Sequence, residues 1–223
     1  MKAFIAAALA ASAFAVPAAL AETVTGSGTP LTQERPVAGF HGVALAVPGH
    51  LEIAQGSAEK LTITGDDNVV PRIEALVEGG ELRIRFREHN NFSVRLRAPL
   101  KMVLTVKALD AISVAGSGDV QAPALETAHL RLSISGSGNV VLGGKGESLA
   151  VEIAGSGDLK AQRFEAQSAK VEIAGSGDAT VWARAKLTAS VAGSGDVRYF
   201  GDPTVTRSIA GSGSVRRLGA TPG

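Results

Sequence analysis

From residue 108 onward, apolar residues fall at every second position, in short runs separated by glycine. The first glycines of the Gly-Ser-Gly units (Gly116, Gly136, Gly155, Gly175, Gly193 and Gly211) recur at a nearly constant interval. Two positions before these glycines stand Val114, Ile134, Ile153, Ile173, Val191 and Ile209. Four before stand Ile112, Leu132, Val151, Val171, Ala189 and Arg207, and four after stand Val120, Val140, Leu159, Ala179, Val197 and Val215. Alternation with a period of two predicts strands with one buried face. A helix would need spacings of three and four. Each unit therefore predicts strand, Gly-Ser-Gly-Asp corner, strand and a looser return.

The repeat is about half the length of a four-stranded propeller blade and lacks the Leu and Asn signature of leucine-rich repeats. The remaining architecture is an all-β, single-stranded parallel β-helix, one coil per repeat, with equivalent residues about 4.8 Å apart along the axis. Glycine suits the corner because it adopts backbone conformations that a Cβ makes costly. Its small size also lets coils approach closely. Parallel crossovers are right-handed in nearly all proteins, which points to a right-handed coil. Against this, Val191, Val197, Pro203, Ile209 and Val215 fall six apart, the spacing of left-handed hexapeptide coils.

Residues 37–107 lack the repeat but alternate in the same way. "GVALAVPGHLEIAQG" carries two runs around Pro48-Gly49, and "IEALVEGGELRIRF" carries two around Gly79-Gly80, a turn suited to a hairpin. This section is expected to join and cap the first coil, within one domain over residues 22–223 that continues as six Gly-Ser-Gly coils over 108–218. The last coil has the marks of a terminator. Arg207 takes an aliphatic position, Ser214 takes an Asp position, and Pro203, Arg216 and Arg217 lie nearby. Charge and proline on a terminal strand discourage edge-to-edge growth.

Residues 1–21, "MKAFIAAALAASAFAVPAALA", join a positive start to an apolar run and the small-x-small site Ala19-Leu20-Ala21. This is the form of a signal peptide cleaved after Ala21. No other stretch is long and apolar enough to span a bilayer, so the mature chain is expected to be exported to the periplasm or cell surface, without a membrane span. Cysteine is absent, so disulfides contribute nothing. Lys plus Arg is 22 against 21 for Asp plus Glu, which gives no electrostatic footprint for nucleic acid.

Candidate chemistry is sparse. The corners stack a serine column (Ser117, Ser137, Ser156, Ser176, Ser194), whose hydroxyls could link along the axis, and an acidic column (Asp119, Asn139, Asp158, Asp178, Asp196). Carboxylates about 4.8 Å apart repel by about 0.9 kcal/mol in water, which raises the question of a bound cation. Calcium-binding β-coils, however, are built on a nonapeptide repeat with an Asp in every turn. Here there is one such turn per coil, so the pattern favours carboxylates that accept hydrogen bonds from turn amides. No metal or cofactor is expected. "TGDDN" (Thr64–Asn68) reads as a solvated acidic turn. The histidines His41, His50, His89 and His129 are dispersed. "GGKGES" at Gly143 lacks the Gly-Lys-Ser/Thr order of a phosphate loop. A basic stripe, Arg83, Arg85 and Arg87, would lie on one face of a strand: a solvated surface, or a contact for anionic glycan.

With these residues in place, the chain resembles the auto-transporter adhesin head GIN domain family (DUF2807). The similarity lies in "FHGVALAVPGHLEIAQGSAEKLTITGDDN" (Phe40–Asn68), "ELRIRF" and the serial "GSGD" coils, and covers about residues 36–218. The resemblance implies a β-helical fold and a cell-envelope location. The expected function is a non-enzymatic, adhesin-like or scaffolding envelope protein whose partners are glycans or other envelope components. The alternative is a polysaccharide-active lyase or hydrolase, since β-helices also carry such enzymes.

Overall fold

The computed structural model describes residues 22–87 and 92–223, so the expected signal segment and His89 lie outside the described residues. The chain winds as a β-solenoid. On one face the strands run in the axial order Ile73–Glu78, Glu81–Phe86, Gly42–Ala46 and Ala111–Gly116. They continue into the later parts of Gly118–Gly136, Val140–Gly155, Leu159–Gly175 and Ala179–Gly193, and end at Thr204–Gly211. On the second face Pro30–Arg35, Lys60–Asp66, Lys101–Val106 and Gly49–Gln55 lead into the early parts of the same long strands. That face ends at Asp196–Phe200 and Ser214–Gly219.

Pairing is parallel throughout both stacks except at the N-terminal end. There Ile73–Glu78 turns back on Glu81–Phe86, and Lys60–Asp66 runs against both of its neighbours. The Gly79-Gly80 hairpin is present, with φ of +60° and +80°. The two runs around Pro48-Gly49 do not pair with each other. Gly42–Ala46 lies beside Ala111–Gly116 and Gly49–Gln55 beside Gly118–Gln121, with Gly49 in register with Gly118. Val47-Pro48-Gly49 is therefore a corner of the solenoid, and the parallel stack extends past the Gly-Ser-Gly coils into the N-terminal section. Alternation alone cannot separate a hairpin from a corner, because both change direction between two half-buried strands.

The apolar columns predicted from the repeat form the core. Ile84, Leu45, Val114, Ile134, Ile153, Ile173 and Val191 stack in register, each buried. Met102, Leu51, Val120, Val140, Leu159, Ala179 and Val197 do the same on the second face. A third column on the return segment comprises Leu130, Leu149, Ala169 and Leu187. Each fully buried large aliphatic side chain contributes about 1.5–3 kcal/mol. Phe164 is the largest fully buried side chain, and its ring packs against Gly146, where a Cβ would come within 3.0 Å of its Cζ. That contact accounts for a glycine of "GGKGES" without any phosphate chemistry. At the last coil the columns open: Ile209 is 40% exposed, Arg207 takes a core-column place, and Val215 is only half-buried.

Candidate functional site

The corners are built from backbone. From Gly136 to Gly211 the first glycine of each unit has φ between +126° and +136°, which favours residues without a Cβ. A Cβ at Gly136 would lie 2.5 Å from the Gly116 carbonyl oxygen, and one at Gly175 would lie 2.2 Å from that of Gly155. Into the space thus kept, each serine amide donates to the preceding coil's glycine carbonyl. Ser137 donates to Gly116 at 2.8 Å, and Ser156, Ser176, Ser194 and Ser212 donate to Gly136, Gly155, Gly175 and Gly193 at 2.9 Å. The serine column is thus linked through its amides and not through the expected hydroxyl chain. Among the described residues these exposed hydroxyls make no axial bond, because the close backbone approach already supplies it.

The acidic column is also a ladder. Asp119 Oδ1 accepts from the amide of Asn139 at 3.0 Å and from its side-chain Nδ2 at 2.8 Å. Asp158 accepts from the amide of Asp178 (3.0 Å), Asp178 from that of Asp196 (2.9 Å), and Asp196 from that of Ser214 (2.9 Å). The carboxylates do accept turn amides, but those of the next coil. The repulsion between Asp178 and Asp196 is offset by Arg198, whose Nη2 lies 3.1 Å from an Oδ2 of each. The Ser214 hydroxyl and amide, with Arg198, hold Asp196 below the usual carboxylate range against the opposing effect of partial burial. Among the described residues, no group of three or more His, Asp or Glu side chains is arranged to hold a metal ion.

The basic stripe is laid out as the alternation predicted, with Arg83 and Arg85 opposite Leu76 and Glu74 of the hairpin partner. Arg83 meets Glu78 and Glu81, each at 2.9 Å, and Arg85 meets Glu74 at 2.7 Å. Arg87 is exposed beyond the strand, where its amide donates to the Arg72 carbonyl at 3.0 Å. Two of the three guanidiniums are therefore paired with carboxylates.

"TGDDN" departs most from its expectation. Asp66 is completely buried and is the only charged residue in the described core. Its oxygens accept from the amides of Gly28 (2.7 Å), Arg97 (3.0 Å) and Ala98 (3.1 Å). Burial would raise its pKa, but the amides of Arg97, Gly28 and Ala98 and the Arg97 charge outweigh that and hold it below the ordinary range. Asp67 accepts from the Ser27 hydroxyl at 2.6 Å, and Asn68 bonds the Ser27 amide and the Thr25 carbonyl, both at 2.9 Å. The turn is a clasp that fastens 25–28 and 97–98 to the solenoid. Two acidic residues followed by Asn, with Gly-Ser-Gly at 26–28, were the available signal.

Two of the dispersed histidines pair separately, His41 Nδ1 with Asp110 at 3.0 Å and His129 Nδ1 with the Ser148 hydroxyl at 2.8 Å. Two open grooves lie along the faces. One, of about 440 Å³, is floored by Ala111, Ser113 and Ser133 and edged by Arg131, Lys170 and Glu172. The other, of about 550 Å³, lies on the return side beside Glu126, Lys145, Glu147 and Glu165. There Glu126, Lys145 and Glu165 stand in one axial register, with Lys145 3.1 Å from Glu126. No helix among the described residues is long and apolar enough to cross a membrane.

Comparison with known proteins agrees with this geometry. The model of a family described as "Putative auto-transporter adhesin, head GIN domain" matches residues 39–203. A crystal structure of "a putative adhesin" from Bacteroides fragilis is 25% identical. It aligns over 87% of this chain and 100% of its own length with a TM-score of 0.71. A structure described as a "putative lipid binding protein", from Parabacteroides distasonis, is 24% identical over 88% of this chain and 100% of its own, with a TM-score of 0.61, and shares the fold. No curated protein matches the chain.

Proposed function

The chain belongs to the auto-transporter adhesin head GIN domain family, and from that premise we propose that it is an exported, non-enzymatic binding protein of the cell envelope. It would hold glycans or other envelope components on the long faces of its solenoid. The observation that carries this reading is the unbroken axial register of the outer surface. Arg131, Ala150, Lys170 and Thr188, and beside them Ser133, Glu152, Glu172 and Ser190, repeat at coil spacing along a flat face that bears an open groove. A regular solenoid of this kind offers an extended surface to an extended partner. The B. fragilis relative, described as "a putative adhesin", supports the same reading. Export rests on the signal-like residues 1–21.

The test is retention of the mature chain, residues 22–223, on immobilised envelope polysaccharide and outer-membrane fractions, run beside an assay for released oligosaccharides. Retention without product supports the binding role. Steady release of unsaturated or reducing oligosaccharides would replace it with the polysaccharide-active reading.

A further inference from the structure

The chain has one Trp and one Tyr in its whole length. The solenoid brings both to its C-terminal end, where Ala179–Gly193, Asp196–Phe200 and Ser214–Gly219 lie side by side. In register across these strands are Thr180, Arg198 and Arg216; then Val181, Tyr199 and Arg217; then Trp182, Phe200 and Gly219. Val181, Ala183 and Val197 are fully buried, so the alternation puts Arg198, Trp182 and Phe200 on the outer surface. Tyr199 packs inward against the core.

Trp182 and Phe200 are thus outward neighbours on adjacent coils, about 4.8 Å apart by the strand spacing. Both are half-buried, unlike Phe164, which is fully enclosed. Gly219 continues their row with no side chain; a Cβ built there would touch the edge of the Phe200 ring at 3.7 Å, so no side chain covers that edge from the last strand. Each ring keeps part of its surface in water, which leaves an apolar face that a ligand can cover.

The rim is charged. Arg198 is held by Asp178 and Asp196, while Arg184 meets Glu165 on the other flank. Arg216 is the loosest cation of the group, 64% exposed and 4.0 Å from Asp196. A pyranose ring is apolar on the face formed by its C–H groups and polar at its edge. The apolar face would lie on the two aromatic rings, and a carboxylate on the edge would meet the Arg216 guanidinium in a charge-assisted pair.

We infer that Trp182 and Phe200 form a stacking platform for an acidic sugar of a surface glycan, a uronic acid, with Arg216 reading its carboxylate. This site rests on the binding function proposed above and gives it a location and a ligand class.

Because Trp182 is the only indole, its fluorescence reports occupancy of this platform without a label. The mature chain is titrated with a hexamer of galacturonate and, separately, with a neutral β-1,4-glucan hexamer. The expected result is a saturable change with the uronate, weakened about tenfold by R216A and weaker throughout with the glucan. R216A alters an exposed side chain, so unchanged circular dichroism and melting temperature confirm that its fold is intact. A silent Trp182 with the uronate, equal affinity for the neutral hexamer, or an R216A variant that binds as tightly as the parent would each overturn the proposal. Retention on envelope polysaccharide together with a silent Trp182 sinks this site but leaves the binding role standing; loss of both sinks the two together.

Discussion

Replacing Gly175 by Ala asks how much of the solenoid's stability depends on coils touching through bare backbone. At Gly175, with φ +136°, the new Cβ would sit 2.2 Å from the Gly155 carbonyl oxygen and 3.0 Å from its carbon. Gly116 belongs to the same column and also has a positive φ, +91°, but nothing lies within 4 Å of a Cβ built there. The backbone strain at either position is about 1–3 kcal/mol. Only Gly175→Ala adds the need to force two coils apart, worth about 1–3 kcal/mol. It also stretches the 2.9 Å bond from the Ser176 amide to Gly155, worth about 1 kcal/mol. Gly116→Ala should therefore cost about 1–3 kcal/mol and Gly175→Ala about 3–7 kcal/mol. Urea unfolding followed by circular dichroism, with the denaturant slopes compared to confirm a common unfolded state, measures both. Equal costs at the two positions, within about 0.5 kcal/mol, would mean that axial backbone contact contributes nothing and that only the local conformation matters.

Other substitutions probe separate parts of the same design. Phe164→Ala empties the largest enclosed side-chain site and should cost about 3–5 kcal/mol in the same unfolding assay. Asp178→Ala removes the acceptor for the Asp196 amide and one partner of Arg198, and should cost about 1–2 kcal/mol; Asp178→Asn, which keeps an acceptor oxygen, should cost less. Asp66 and Asp196 have folded pKa values below their unfolded ones. Their contribution is complete above the unfolded carboxylate value of about 3.9 and is lost as pH falls through the lower folded values. The melting temperature should therefore drop below about pH 4, and Asp196→Asn should flatten that drop; an acid profile identical to the parent's would remove Asp196 from the account. Deletion of 201–223 exposes the Ala189, Val191 and Val197 ends of the core columns and should drive association. A monodisperse truncated chain in size-exclusion chromatography would show that the last coil does not protect the edge.

The solenoid was legible because its signal is redundant: the glycine corners and the apolar columns all repeat at the same interval, so one irregular coil does not hide the pattern. The N-terminal section was less so. The Pro48-Gly49 corner carries no Gly-Ser-Gly, and only its register with Gly118 identifies it. The acidic column was legible as a hydrogen-bonding element. Its partner was not, because an amide one coil away is remote in sequence and only the axial stacking brings it near. Asp66 looks solvated in the sequence because burial of a carboxylate depends on three amides converging from 28, 97 and 98, and no local pattern announces that.

In the run from Asp158 to Ser214, each carboxylate accepts the amide of the coil that follows it, so a coil brings its own fastening and asks nothing of those further away. Whole coils could then be gained or lost during evolution, and the rod would change length without being redesigned. The column changes at one residue: the Ser214 hydroxyl donates back to Asp196 at 2.8 Å, and serine offers no carboxylate to the amide of another coil.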